Sequence, residues 1–152
     1  MPTHYGHLAR MLHACAEKTV TAALAQMDLT AAQGHVLGYI THRPDPPCAR
    51  DVEEAFQLSH PTVSGILSRL EQKDFIELRA DPTDRRCKRI YIRPKGWELD
   101  EMMHNIIRST EEKMVEGFTP QEQAQFAELL HRAIGNLGGN PCKRKHKEEP
   151  PK

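Results

Sequence analysis

The sequence predicts a mainly α-helical protein with a small β-wing: a winged helix-turn-helix held between N- and C-terminal dimerisation helices. Three observations predict it. The stretch from Cys48 to Gly96 reads as two short helices with a turn between them, then a strand, a charged hairpin and a second strand. Within it, Val63, Ile66, Leu67 and Leu70 recur at i, i+3, i+4 and i+7 among small polar residues, so the second helix buries one face and turns a flat polar one outward. The segments on both sides carry more apolar surface than one neighbour can cover, which implies that two chains associate through their ends.

Taken in order, residues 5–27 place Leu8, Leu12, Cys15, Thr19, Ala22 and Ala23 on one stripe and Val20, Leu24 and Met27 on another. A helix apolar on two sides needs two partners, and Cys15 on the first stripe reads as a buried thiol. Thr30-Ala31-Ala32-Gln33 has capping-box spacing and opens a helix to about His42, with Val36, Leu37 and Ile40 facing in. Arg43-Pro44-Asp45-Pro46-Pro47 ends it. The segment from about Cys48 to Phe56 gives Val52 and Phe56 to the core and supports the helix that follows. That helix has Ser59 in position to cap its first N–H groups and Pro61 in its first turn, where a missing donor costs nothing.

After the wing, Pro94 opens a long helix to about Met114, with Leu99, Met102, Met103 and Ile106 on a stripe, and Gly117 breaks it. Thr119-Pro120-Gln121-Glu122 is another capping box, launching a helix whose Phe126, Leu129, Leu130, Ala133, Ile134 and Leu137 share one face up to Gly138-Gly139. The expected organisation is one domain over 1–137, with dimerisation helices at about 5–27 and 94–137 and the winged helix-turn-helix at about 30–96. The polar, basic tail, 138–152, is expected to be disordered.

Two surfaces carry the functional signal. The outward face of the second reading-head helix holds Ser59, His60, Pro61, Thr62, Ser64, Gly65 and Ser68. Small hydroxyl-bearing groups let a helix lie close to base edges and phosphates in a major groove about 12 Å wide. Gly65 costs about 1 kcal/mol in mid-helix relative to alanine and so points to a close approach. The second surface is the hairpin. Asp81-Pro82-Thr83-Asp84 has turn composition, Lys88-Arg89-Ile90-Tyr91-Ile92 has that of a half-buried strand, and Arg85, Arg86, Lys88 and Arg89 crowd the tip and its exit. Arginines on such a hairpin reach phosphates and the narrow, negative minor groove. Arg50 is a further candidate for a phosphate contact.

Ser59-His60-Pro61-Thr62-Val63-Ser64 through Arg69-Leu70-Glu71, then Asp81-Pro82-Thr83-Asp84-Arg85-Arg86 and Ile92-Arg93-Pro94-Lys95-Gly96, resemble the MarR family of bacterial transcriptional regulators. The resemblance covers the chain to about Leu137. It implies a homodimeric repressor that binds pseudo-palindromic double-stranded promoter DNA, with Asp84 orienting the wing and Arg86 as the minor-groove arginine at its tip. Three positions depart from the family pattern: Asp74 stands where a helix-ending Gly is usual, Leu78 where Arg is frequent, and Arg93 where Thr often caps the next helix. The resemblance also implies release by a small ligand, an aromatic compound for instance, or by an oxidant. His13, His35, Tyr39, Trp97 and Met103 are candidates to line the ligand pocket, and Cys15 and Cys87 are the redox candidates.

Composition limits the alternatives. The chain has 152 residues and a formal net charge of zero, which leaves nucleic acid open because local charge decides binding, and here the wing and tail are basic. No apolar run approaches the ~20 residues of a membrane span and no signal-peptide pattern opens the chain, so a cytoplasmic location is expected. The four cysteines lack C-x-x-C spacing and read as reduced thiols. The nine histidines show no H-x-x-x-H or Cys/His cluster, so neither a metal site nor a cofactor is expected. No nucleophile motif or phosphate loop suggests an enzyme. The basic run Lys143-Arg144-Lys145 with Lys147 is either an added phosphate attraction or a solvated end. The rival to DNA binding is a winged helix that docks another protein, which would replace the polar outer face by an apolar one.

Overall fold

The computed structural model describes residues 3–139. The chain divides into two compact units, Met1–Glu111 and Glu112–Lys152. Helices α1 (Tyr5–Gln26), α2 (Ala31–Thr41), α3 (Ala49–Phe56) and α4 (His60–Gln72) come first, followed by strands β1 (Ile76–Ala80) and β2 (Lys88–Ile92), then α5 (Pro94–Met114) and α6 (Pro120–Asn136). The architecture is the winged helix expected from the sequence. The basic run at 143–147 lies outside the described residues, as does Cys142. No helix of the described residues is long and apolar enough to cross a membrane.

The core of the first unit gathers Leu24, Leu29, Val36, Leu37, Ile40, Val52, Val63, Leu67, Leu70, Phe75, Ile76, Ile90 and Leu99. Each such side chain contributes about 1.5–3 kcal/mol by leaving water. The capping box of α2 forms as spaced: Thr30 Oγ1 accepts from Gln33 N–H at 3.2 Å and Gln33 Oε1 from Thr30 N–H at 3.1 Å. Helix α3 is capped as well. Asp51 reaches back to accept from Cys48 N–H at 2.8 Å, and that bond holds its carboxyl below the usual range.

Two local expectations are corrected. Ser59 sits at the N-cap of α4, but its hydroxyl meets the Thr62 hydroxyl at 2.9 Å and caps no backbone N–H; side-chain hydroxyls one turn apart satisfy each other first. Of the two stripes on α1, only the one with Val20, Leu24 and Met27 packs on the core. Cys15, on the other, is exposed and not buried, together with Tyr5, Leu8 and Met11. Among the described residues most of that face is uncovered, with Leu12 and Ala23 half-buried.

The sheet is a two-stranded antiparallel hairpin with Ile76 opposite Ile92, Leu78 opposite Ile90 and Ala80 opposite Lys88. Alternation turns Ile76 and Ile90 into the core. Asp74 occupies the left-handed region at φ 67° before β1, so the aspartate does there what glycine usually does. Its carboxylate also accepts from Arg93 Nε at 2.9 Å, which ties the entry of β1 to the exit of β2. Gly96 must be glycine, because a Cβ would strike the carbonyl oxygen of Phe75.

In the second unit the Thr119 capping box launches α6 as the sequence indicates, with Thr119 Oγ1 accepting from Glu122 N–H at 3.2 Å and Glu122 Oε2 from Thr119 N–H at 2.8 Å. Helix α6 buries nothing: Leu129 is 52% exposed and Leu137 90%. Among the described residues most of its apolar face is uncovered, Phe126 being half-buried with its ring edge-on to Phe118 at 5.8 Å.

Candidate nucleic-acid interface

Helix α4 presents its two faces as the periodicity requires. Val63, Leu67 and Leu70 are buried, while Ser59, His60, Pro61, Thr62, Ser64, Gly65 and Ser68 are all exposed. A Cβ on Gly65 would meet nothing within 4 Å, so the fold supplies no reason for a glycine there. His60 is held by α3, its Nδ1 lying 2.5 Å from Glu53 Oε1. At the other end of the helix Glu71 Oε1 accepts from Leu78 N–H at 3.0 Å and anchors the first wing strand to α4. Arg50 is exposed and paired with Glu54 at 3.3 Å.

The wing is organised from its base. Asp81 is nearly buried, its side chain 8% exposed. One carboxylate oxygen accepts from the N–H and the hydroxyl of Thr83, at 2.8 and 2.7 Å, and the other from Arg89 Nε at 2.6 Å. These bonds, those from Thr83 first, hold the Asp81 carboxyl far below the usual carboxylate range. Arg89 also donates from Nη1 to the carbonyl of Pro46 at 3.2 Å, and Ile90 N–H donates to Pro47 O at 2.8 Å. The hairpin is thereby fastened to the segment ahead of α3.

Two of the expected residues are engaged within the wing. Arg89 is held at its base through Nε and Nη1. Asp84 accepts from Arg86 N–H at 3.0 Å, a local turn bond, while the wing as a whole is held by Asp81. The signal for Asp81 was present in Asp81-Pro82-Thr83, an aspartate with a hydroxyl two residues on, but its partner Arg89 could be found only by folding the hairpin. Arg85, Arg86 and Lys88 are exposed, and among the described residues none makes an ion pair.

A model of the MarR family matches residues 27–86, from the end of α1 to Arg86. Among solved structures, MepR, a transcription regulator of the Staphylococcus aureus multidrug efflux pump MepA, is 31% identical, with TM-score 0.79 over 89% of this chain and 99% of that one. The chain belongs to the MarR family. The S. aureus MepR–DNA complex matches at 31% identity and TM-score 0.71, covering 90% of this chain and all of that one. MarR from E. coli in its reduced form shares the fold, at 21% identity and TM-score 0.73 over 88% of this chain and 98% of that one.

Against other MarR-family features the expected residues fare unevenly. A cleft of about 490 Å³ lies between α1 and α5, lined by Thr19, Glu98, Glu101, Met102, Asn105 and Ile106 with Ser109. It includes none of His13, His35, Tyr39, Trp97 and Met103. Tyr39 is edge-on to Phe56 at 5.6 Å and, like Met103, packs against the core. Trp97 and His13 are exposed, and His35 is 3.9 Å from Glu17. Cys87 is half-covered, and burial, with the Cys48 thiol beside it, pushes its own thiol up. Cys15 is exposed.

Proposed function

We propose that the protein is a DNA-binding transcription regulator that works as a homodimeric repressor. The observation that carries this reading is the combination of a polar, exposed α4 face with a wing whose Arg85, Arg86 and Lys88 are exposed and without an ion-pair partner among the described residues. The α4 face suits the major groove, and the wing-tip cations suit phosphates and the adjacent minor groove. MepR, 31% identical, has been solved with DNA bound, which supports the same use here. The outward face of α4 carries no large apolar side chain, so nothing there favours a protein-docking winged helix.

Dimerisation accounts for the uncovered apolar faces of α1 and α6: Tyr5, Leu8 and Met11 in one unit, Leu129, Leu130, Ile134 and Leu137 in the other. A two-fold dimer would carry two α4 helices and prefer a pseudo-palindrome with half-sites about one helical turn apart. A small-molecule effector would act from the cleft between α1 and α5, where Glu98 and Glu101 favour a neutral or cationic ligand over an acid. Such a ligand releases DNA only if it binds one arrangement of the dimer better than the other.

The test is a fluorescence-anisotropy titration of the protein against DNA from upstream of its own gene and against a scrambled duplex, at several salt concentrations. A preference on the order of 10³-fold or more with a steep salt slope is expected. Equal, weak binding to both would contradict sequence-specific regulation from that region.

A further inference from the structure

Helices α2 and α5 bring together three side chains that the function above does not use. His42 caps the C-terminus of α2, and Asp100 and His104 lie one turn apart on α5. His42 Nδ1 is 2.6 Å from the carbonyl oxygen of Gly38, and His104 Nδ1 is 2.8 Å from that of Asp100. A carbonyl oxygen only accepts, so each Nδ1 carries the hydrogen and each neutral ring leaves a bare lone pair on Nε2. Those two Nε2 atoms face each other at 3.2 Å. Two lone pairs at that distance repel unless a cation lies between them.

The rest of the cluster fits a metal ion. One donor atom from each of His42, Asp100 and His104 lies within 4.8 Å of the other two. Nitrogens held ~2.0–2.1 Å from a tetrahedral zinc ion stand about 3.3–3.4 Å apart, close to the separation found. Each histidine already has the outer bond that metal-binding histidines use, Nδ1–H to a backbone carbonyl, which fixes the tautomer with Nε2 toward the ion. Asp100 Oδ1 accepts from the Thr41 hydroxyl at 2.8 Å, so the carboxylate is oriented as well. We propose that His42, Asp100 and His104 form a site for a divalent transition-metal ion, zinc foremost, that staples the end of α2 to the second turn of α5. Two imidazoles and one carboxylate suit such an ion and leave a position for water.

The sequence does not display the site, because its ligands come from two helices with His42 and Asp100 58 residues apart, and the one-turn pair is Asp-x-x-x-His rather than His-x-x-x-His. The test uses the full chain freed of metal and titrated with Zn²⁺ in competition with a chromogenic chelator. The wild type should take up one more Zn²⁺ per chain than His42→Ala/His104→Ala. His42→Ala, His104→Ala and Asp100→Asn should each weaken that uptake by about tenfold or more, and His131→Ala should not. The Zn²⁺-dependent rise in thermal midpoint should be present in the wild type and smaller in the double variant, with circular dichroism reporting that both are folded. Equal stoichiometry and an equal thermal rise in the two proteins would overturn the site and leave a shared proton between the rings.

Discussion

At the base of the wing Arg89 is clasped by the Asp81 carboxylate and the Pro46 carbonyl, whereas at the tip Arg85 and Arg86 stand in solvent with no carboxylate partner among the described residues. The four cations from Arg85 to Arg89 look alike in sequence. Folding separates them: Arg89 spends its donors on holding the hairpin to the segment ahead of α3, and that leaves a rigid arm from which the other three project. A cation whose charge is already compensated adds little to the field outside. On the function proposed, the tip would meet DNA and the base would aim the tip.

Breaking the tip should have the largest effect on binding. Arg85→Ala with Arg86→Ala is expected to weaken DNA affinity on the order of tenfold per arginine at constant thermal midpoint, measured by anisotropy and calorimetry together. Breaking the base should do the reverse. Arg89→Ala leaves a nearly buried carboxylate without its cation, so the thermal midpoint should fall, with a secondary loss of affinity as the tip loses its aim.

A smaller effect sharpens the comparison from the side of α4. Gly65→Ala should stabilise the free protein by about 1 kcal/mol, since a methyl meets nothing in the fold, and at the same time weaken DNA binding. A variant that gains both stability and affinity would remove Gly65 from the contact. The smallest effect is on acid stability. The folded Asp81 carboxyl is depressed below its ordinary 3.8, so its contribution is complete above that value and is lost as pH falls toward the lower folded value. The stability gap between wild type and Asp81→Asn should be constant near neutrality and close below about pH 4, as followed by urea denaturation.

Much of this was legible in the sequence. Helical periodicity located α4 and its buried side, and two Thr-x-x-Gln/Glu boxes located the starts of α2 and α6. Turn composition placed the hairpin. What escaped depends on contacts distant in the chain: Arg89 with Asp81 and Pro46, Glu71 with the Leu78 amide, and His42 with His104. Local pattern also misjudged Cys15. Its stripe is apolar as written, but the fold of a single chain leaves that stripe uncovered, and no periodicity tells which of two apolar faces the chain itself will cover.

The measurement that bears most directly on the division of the wing is the dependence of DNA affinity on salt for the wild type, Arg86→Ala and Arg89→Ala. Each lost phosphate contact lowers the slope of log K against log salt by about 0.9. The slope should fall by about that amount for Arg86→Ala and by less for Arg89→Ala. A slope that drops for Arg89→Ala and not for Arg86→Ala would contradict the assignment of base and tip.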